Sequence, residues 1–383
     1  MSAMKQHPGA VAAAGVSAAA GSPPAPGTAM PAELSPHRIR RRLLQFALVV
    51  VAVVVLVRVL PGLARLRSDL AHASPGWLAA GAGLELLSAL SYVLVFRSVF
   101  CRRMSWRLSY QIGMSEQAAN SVLSVSGAGG LALGVWALRR GGMNTAYIAR
   151  RTVAFFFLTS LANVGAVIVF AALYAVGILH HDRNHALTYG FGLAALAATA
   201  LVLALPLVLS RRAPAPRPVA PTGRVAAAVH FARYSLAQGV ADGLLLLRQR
   251  SFGVLAGSLG TMVFDLAVLG ATFKAVGYSP PIGVLALGYL IGQLGGNVPL
   301  PGGIGGVDGG LIGTFVLYHQ PLAPATAAVL AYHAISLWVP ALLGSVAFVQ
   351  LRRTLEREHQ PAAMCAPLAE PIELARQPAP SGD

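Results

Sequence analysis

Residues 297–310, NVPLPGGIGGVDGG, decide how this chain is read. Pro299 and Pro301 stop a helix, the glycines from Gly302 to Gly310 accept backbone conformations closed to other residues, and Asp308 adds a carboxylate. Apolar runs flank the stretch on both sides. In hydrocarbon every backbone N–H and C=O needs an internal partner, so irregular backbone survives only inside protein or beside a water-lined cavity. The stretch therefore predicts a helix that halts within a membrane, a polar cavity around the break, and a second helix restarting near Gly306.

The rest of the composition agrees. Of 383 residues, 56% are hydrophobic and 11% charged, well under the roughly one-quarter charge of a soluble domain. Repeated apolar runs reach the ~20 residues that cross ~30 Å of hydrocarbon as a helix. A β-barrel would instead show alternating segments of about ten residues, and none appears. The chain reads as an all-α polytopic membrane protein. Its net charge of +16 does not point to nucleic acid, because the arginines gather at the ends of apolar runs. There they orient helices and meet anionic lipid headgroups. Cys101 and Cys365 lie far apart and offer neither metal spacing nor an evident disulfide. No cofactor motif appears.

Residues 1–36 are mostly Ala, Gly, Pro and Ser without periodicity, the composition of a disordered tail. A first membrane half covers 37–210 and opens on a retained helix after HRIRRR, rather than on a cleaved signal. RRAPAPRPVAPTGR, 211–224, is a linker, 225–250 an amphipathic surface helix, 251–350 a second membrane half and 351–383 a cytoplasmic tail. Arginine clusters at 38–42, 97–107, 139–151, 211–224 and 352–357 mark cytoplasmic loops, which puts both termini inside a cell-membrane protein. The segment 111–138 has arginines on both flanks and the weak helix former SVSGAGG at 124–130, so it enters and leaves from one side. The segment 282–319 then forms a second hairpin from the opposite face. About six full spans plus two opposed re-entrant helical hairpins result, a layout that suggests the inverted repeat of secondary transporters. Glu85 precedes Asn120 by nearly the spacing at which Asp265 precedes Asn297.

Proteins built this way bind substrate where helices break near the midplane. A helix starting at Gly306 presents free N–H groups and a positive dipole end to an anionic headgroup such as phosphate. The candidate substrate-binding residues are Asn297, Pro301, Gly302, Gly303 and Gly305 at the break and Asp308 in the restarting helix. Asp265 and Glu85 within apolar spans, His333 in LAYHAIS, and Asn120 at the first hairpin, with Glu116 nearby, complete the set. A charge at mid-span costs about 2.5 kcal/mol or more, so each acid needs a partner, water or ligand.

The run from Asn297 to Val346 resembles the closing region of the lysylphosphatidylglycerol synthase transmembrane family. That family includes the flippase half of multiple peptide resistance factors and many stand-alone homologues. Its pattern of Pro-x-Pro-Gly-Gly-x-Gly, an acid and then a span with a basic residue falls on Pro299, Pro301, Gly302, Gly303, Gly305, Asp308 and His333. Asp stands where Glu is usual, and His where Arg is usual. SVSGAGGLALGVWALRRGG keeps the glycines of the first-half counterpart and Arg139–Arg140, but not its proline and acid. The resemblance implies a flippase or transporter whose partner is a membrane phospholipid or lipid-linked substrate. Aminoacyl transfer belongs to a soluble C-terminal domain of the two-domain members, and is not expected of a chain whose last span closes near its end. Two other readings stand beside this one. The first is a non-transporting partner or regulator of a separate lipid-modifying enzyme. The second is an intramembrane enzyme pairing Ser126 with His333, for which the Gly-x-Ser-Gly setting is missing.

Overall fold

The computed structural model describes residues 64–123, 128–175, 224–295, 306–358 and 360–365, with isolated residues 48, 200 and 204. Tail 1–36, nearly all of the first apolar run, most of 187–209, the linker through 223, the hairpin tip at 124–127 and the break at 296–305 lie outside the described residues. So does the chain after 365.

The described residues form α-helices and no strand. The helices are α1 (Ala64–Ala71), α2 (Pro75–Phe100), α3 (Trp106–Leu123), α4 (Ala128–Arg140) and α5 (Thr145–Ala175). They continue as α6 (Arg224–Arg248), α7 (Phe252–Ala275), α8 (Ile282–Gly295), α9 (Gly306–Leu317) and α10 (Leu322–Arg357). Helices α2, α7 and α10, with 26, 24 and 36 residues, are long and apolar enough to cross a membrane. Helices α4, α8 and α9 have 13, 14 and 12 described residues, each bounded on one side by residues outside the description. Exposed apolar stripes run along the long helices at one-turn spacing: Leu255, Leu259 and Val263 on α7, and Trp338, Leu342 and Val346 on α10. Such stripes are liabilities in water and an ordinary outer surface in lipid.

Helices α2 and α7 form the most extensive pairing among the described residues. Their direction follows from the contacts: Ser74 N–H donates to the Ala275 carbonyl at 2.7 Å, and Ser88 Oγ donates to the Thr261 carbonyl at 3.1 Å. The start of one helix meets the end of the other, so they are antiparallel. Close approach depends on Gly257, where a Cβ would lie 2.6 Å from the Val95 nitrogen. Without hydrophobic drive between helices in lipid, small residues of this kind let backbones approach and pack.

Each of these two helices is followed by a pair of shorter ones. Helices α3 and α4 pack on one another across 124–127, and α8 and α9 do so across 296–305. Helix α10 joins the two groups. Its first half packs with α7, α8 and α9 around Phe273, Leu285, Phe315 and Val329. Its far end enters a core with Phe96, Met104, Ile112, Ile148 and Leu351 from α2, α3, α5 and their connections. Helix α6 lies along α5, where Asp242 forms ion pairs with Arg150 at 2.9 Å and Arg151 at 3.7 Å.

The chain does not leave the bundle at the end of α10. It turns back through a 3-10 turn, Ala363–Cys365, where Ala362 N–H donates to the Gly141 carbonyl at 2.8 Å. Cys365 is bonded to Cys101 as a disulfide. This corrects the expectation from sequence. Spacing along the chain carried no sign of the pairing, because only the return of the segment after α10 brings the two sulfurs together.

Candidate functional site

The acids that apolar spans cannot tolerate unpartnered are the place to begin. Asp265 projects from the middle of α7 and accepts three sets of hydrogen bonds. Tyr289 Oη donates to Oδ2 at 2.8 Å, and Gln293 Nε2 donates to the same oxygen at 3.4 Å. Tyr332 Oη lies 2.9 Å from Oδ1 and 3.0 Å from Oδ2. Tyr289 and Gln293 sit one turn apart on α8, so a single helix face presents both donors. Helix α10 supplies the third. The carboxylate therefore ties together α7, α8 and α10 through neutral donors alone.

Glu85 faces this group. In the antiparallel pairing of α2 and α7, Ser88 meets Thr261 and Gly81 meets Val268 and Ala271. That register sets Glu85 opposite Asp265. Glu85 is 5% exposed and its Oε2 has no hydrogen-bond partner among the described residues. Neither acid has an ion-pair partner among the described residues.

Asp308 occupies the first turn of α9, where its charge complements the positive end of the helix. Its Oδ1 lies 3.0 Å from His333 Nδ1 on α10. Nδ1 faces the carboxylate, and Nε2 is the ring's second nitrogen. Nε2 is buried and has no partner among the described residues. Tyr332 and His333 are consecutive, so one turn of α10 holds both Asp265 and Asp308, on two sides of the same helix.

The first hairpin differs. Asn120 Oδ1 accepts from Gly130 N–H at 2.9 Å, capping the first turn of α4 from the end of α3. Glu116, one turn earlier, accepts from Tyr92 Oη at 2.9 Å and lies against Gly134, where a Cβ would overlap its carboxylate. Asn297, Pro301, Gly302, Gly303 and Gly305 lie outside the described residues, as does Ser126.

The structure thus brings Glu85 and Asp265 together, pairs Asp308 with His333 on the adjoining face of α10, and leaves Asn120 in a separate hairpin. Sequence reasoning missed Tyr289, Gln293 and Tyr332. The signal was present in part, since GYLIGQ places two polar side chains at one-turn spacing in an otherwise apolar helix. Tyr332 adjoins His333 in LAYHAIS, but nothing in that stretch distinguishes it from a core aromatic.

Beside the acid pair, an apolar groove of about 460 Å³ runs between α2, α7 and α8, lined in part by Leu84, Leu266 and Leu285. Lys274 lies at one end, its Nζ 4.6 Å from the centre of the Trp77 ring.

Among curated proteins, none matches this chain in sequence. The family described as the lysylphosphatidylglycerol synthase TM region matches residues 42–344, which include Glu85, Asp265, Asp308, Tyr332 and His333 of the acid-lined centre. This chain therefore belongs to the lysylphosphatidylglycerol synthase transmembrane-region family, as a membrane protein.

Proposed function

We propose that this chain translocates a phospholipid or lipid-linked amphiphile, with the headgroup passing the acid-lined centre of the bundle while the tails stay in lipid. The observation that carries the reading is the facing pair Glu85 and Asp265 at the core of the α2–α7 pairing. Two carboxyl groups facing one another inside apolar helices oppose folding, and residues of this kind mark substrate or ion pathways. Unpaired Glu85 Oε2 and His333 Nε2 are groups a passing headgroup can meet. The groove beside Leu84 and Leu266 offers its tails an apolar path next to the acids.

In this reading α3–α4 and α8–α9, each a packed pair joined by a glycine-containing stretch, are re-entrant hairpins from opposite faces. The break at Asn297, Pro301, Gly302, Gly303 and Gly305 sets the N-terminal amides of α9 inside the membrane, where a phosphate sheds water without losing partners. Asp308 lies in the first turn of α9, paired with His333, and the Asn120 hairpin serves the other leaflet.

The test is translocation of a fluorescent phospholipid in vesicles reconstituted with the full chain. Gly302→Val combined with Gly303→Val fills the amide-lined turn with β-branched side chains and should abolish movement while insertion persists. Asp265→Asn should slow it. Wild-type rates in both variants at equal membrane abundance would reject the mechanism. Wild-type protein that moves lipid no faster than protein-free vesicles would favour the non-transporting partner.

A further inference from the structure

We infer a second anion site, remote from the acid-lined centre: a cavity between the start of α3 and the end of α10 that is built to hold a phosphate group. The cavity encloses about 400 Å³ and is lined by Arg107, Gln350, Arg353, Thr354, Arg357 and Glu358. Three guanidiniums against one carboxylate leave the lining positive. None of the three arginines is in an ion pair among the described residues, and the nearby Glu356 carboxylate is held by Arg352 at 3.6 Å. Arg353 and Arg357 are one turn apart on α10, so both forks rise from one helix face, while Arg107 approaches from α3. Guanidinium forks match phosphate oxygens in pairs, and an ammonium does not.

Exposed arginines at the end of a membrane bundle are ordinarily a solvated face, so the charges alone do not make a site. One buried group does: Thr354 lines the cavity at 5% exposure, and its hydroxyl has no hydrogen-bond partner among the described residues. Unpaired buried donors are destabilising unless a ligand or water meets them. A phosphate seated among the arginines gives the Thr354 hydroxyl an acceptor.

The surroundings favour a headgroup. Trp106 adjoins Arg107 and is 55% exposed, and its ring carries the Arg97 guanidinium at 4.4 Å. Exposed tryptophans flanked by arginine belong at the headgroup level of a bilayer. The shared chemistry is a phosphate-bearing anion, from an anionic phospholipid or from a soluble phosphate compound. A choline headgroup would bring a cation against the guanidiniums.

The full chain in nanodiscs is titrated with dioctanoyl phosphatidylglycerol, dioctanoyl phosphatidylcholine and inorganic phosphate, with binding read by calorimetry. The anionic lipid should bind saturably and the zwitterionic lipid far more weakly. Arg353→Gln with Arg357→Gln should weaken the anionic lipid about tenfold or more, and Thr354→Val by a few-fold. Arg352→Gln removes one positive charge from the same turn, outside the lining, and should change binding by less than about twofold, against a several-fold loss for Arg353→Gln alone. Unfolding temperatures equal to wild type confirm that the variants fold. Competition by inorganic phosphate at concentrations near those of the lipid assigns the site to a soluble phosphate. Absence of competition at millimolar phosphate assigns it to the headgroup. Equal weakening by Arg352→Gln would mean diffuse attraction, and either that result or wild-type affinity in the double variant overturns the inference. No translocation is measured, so failure here leaves the transport reading to its own test.

Discussion

Replacing Tyr332 by Phe removes one hydroxyl from the acid-lined centre and little else. That hydroxyl bonds both oxygens of Asp265, at 2.9 and 3.0 Å. Tyr332 is 4% exposed, so water cannot take its place. A hydrogen bond to a charged group contributes about 1.5–3 kcal/mol. Asp265 keeps Tyr289 at 2.8 Å and Gln293 at 3.4 Å, so the carboxylate is not orphaned and the lower part of that range applies. The ring stays, leaving no cavity to add to the loss. The expected destabilisation is about 1.5–2 kcal/mol. In an Asp265→Asn background the same change breaks only a neutral bond, contributing about 1 kcal/mol, which predicts a coupling of about 0.5–1 kcal/mol. Reversible unfolding in a graded denaturing detergent, followed by circular dichroism, measures all four corners of the cycle. A Tyr332→Phe variant within about 0.3 kcal/mol of wild type, or an undiminished loss in the Asp265→Asn background, would refute the assignment of Tyr332 as a partner of the charge.

Four further outcomes follow from the packing, the connectivity and the proposed topology. Gly344→Leu drives a side chain into the Met114 carbonyl and Ala118 on α3, and should cost roughly 1–3 kcal/mol or abolish folding. Gly83→Ala meets nothing within 4 Å and should be neutral or stabilising by up to about 1 kcal/mol, as judged by the same unfolding measurement. Protein purified without reductant and then denatured should take up no maleimide until reduced, and two equivalents afterwards; uptake before reduction would contradict the Cys101–Cys365 bond. In a background with both cysteines replaced, single cysteines at positions 181 and 278 should react with an external reagent and one at 217 should not. Efficient external labelling at 217 would overturn the two-hairpin arrangement.

Membrane class and family were legible in the sequence because both rest on local composition. An apolar window long enough to cross hydrocarbon says so whatever surrounds it, and the proline and glycine run at 299–306 breaks a helix in any fold. That Glu85, Asp265 and Asp308 needed partners was equally plain, since a carboxylate in mid-span is unfavourable before its neighbours are known.

Which partners they found was decided only by the crossing of helices. Tyr332 reaches Asp265 from 67 residues along the chain, and it does so because α7, α8 and α10 meet at one level. Glu85 faces Asp265 because α2 and α7 run antiparallel in a register set by close contacts such as Ser88–Thr261 and Gly257–Val95. The disulfide is the extreme case, with its cysteines 264 positions apart and a pairing made by the chain folding back past the end of α10. Local pattern reports what a residue demands of its surroundings. Contacts at such separations depend on how whole helices dock, which no single stretch of the sequence encodes.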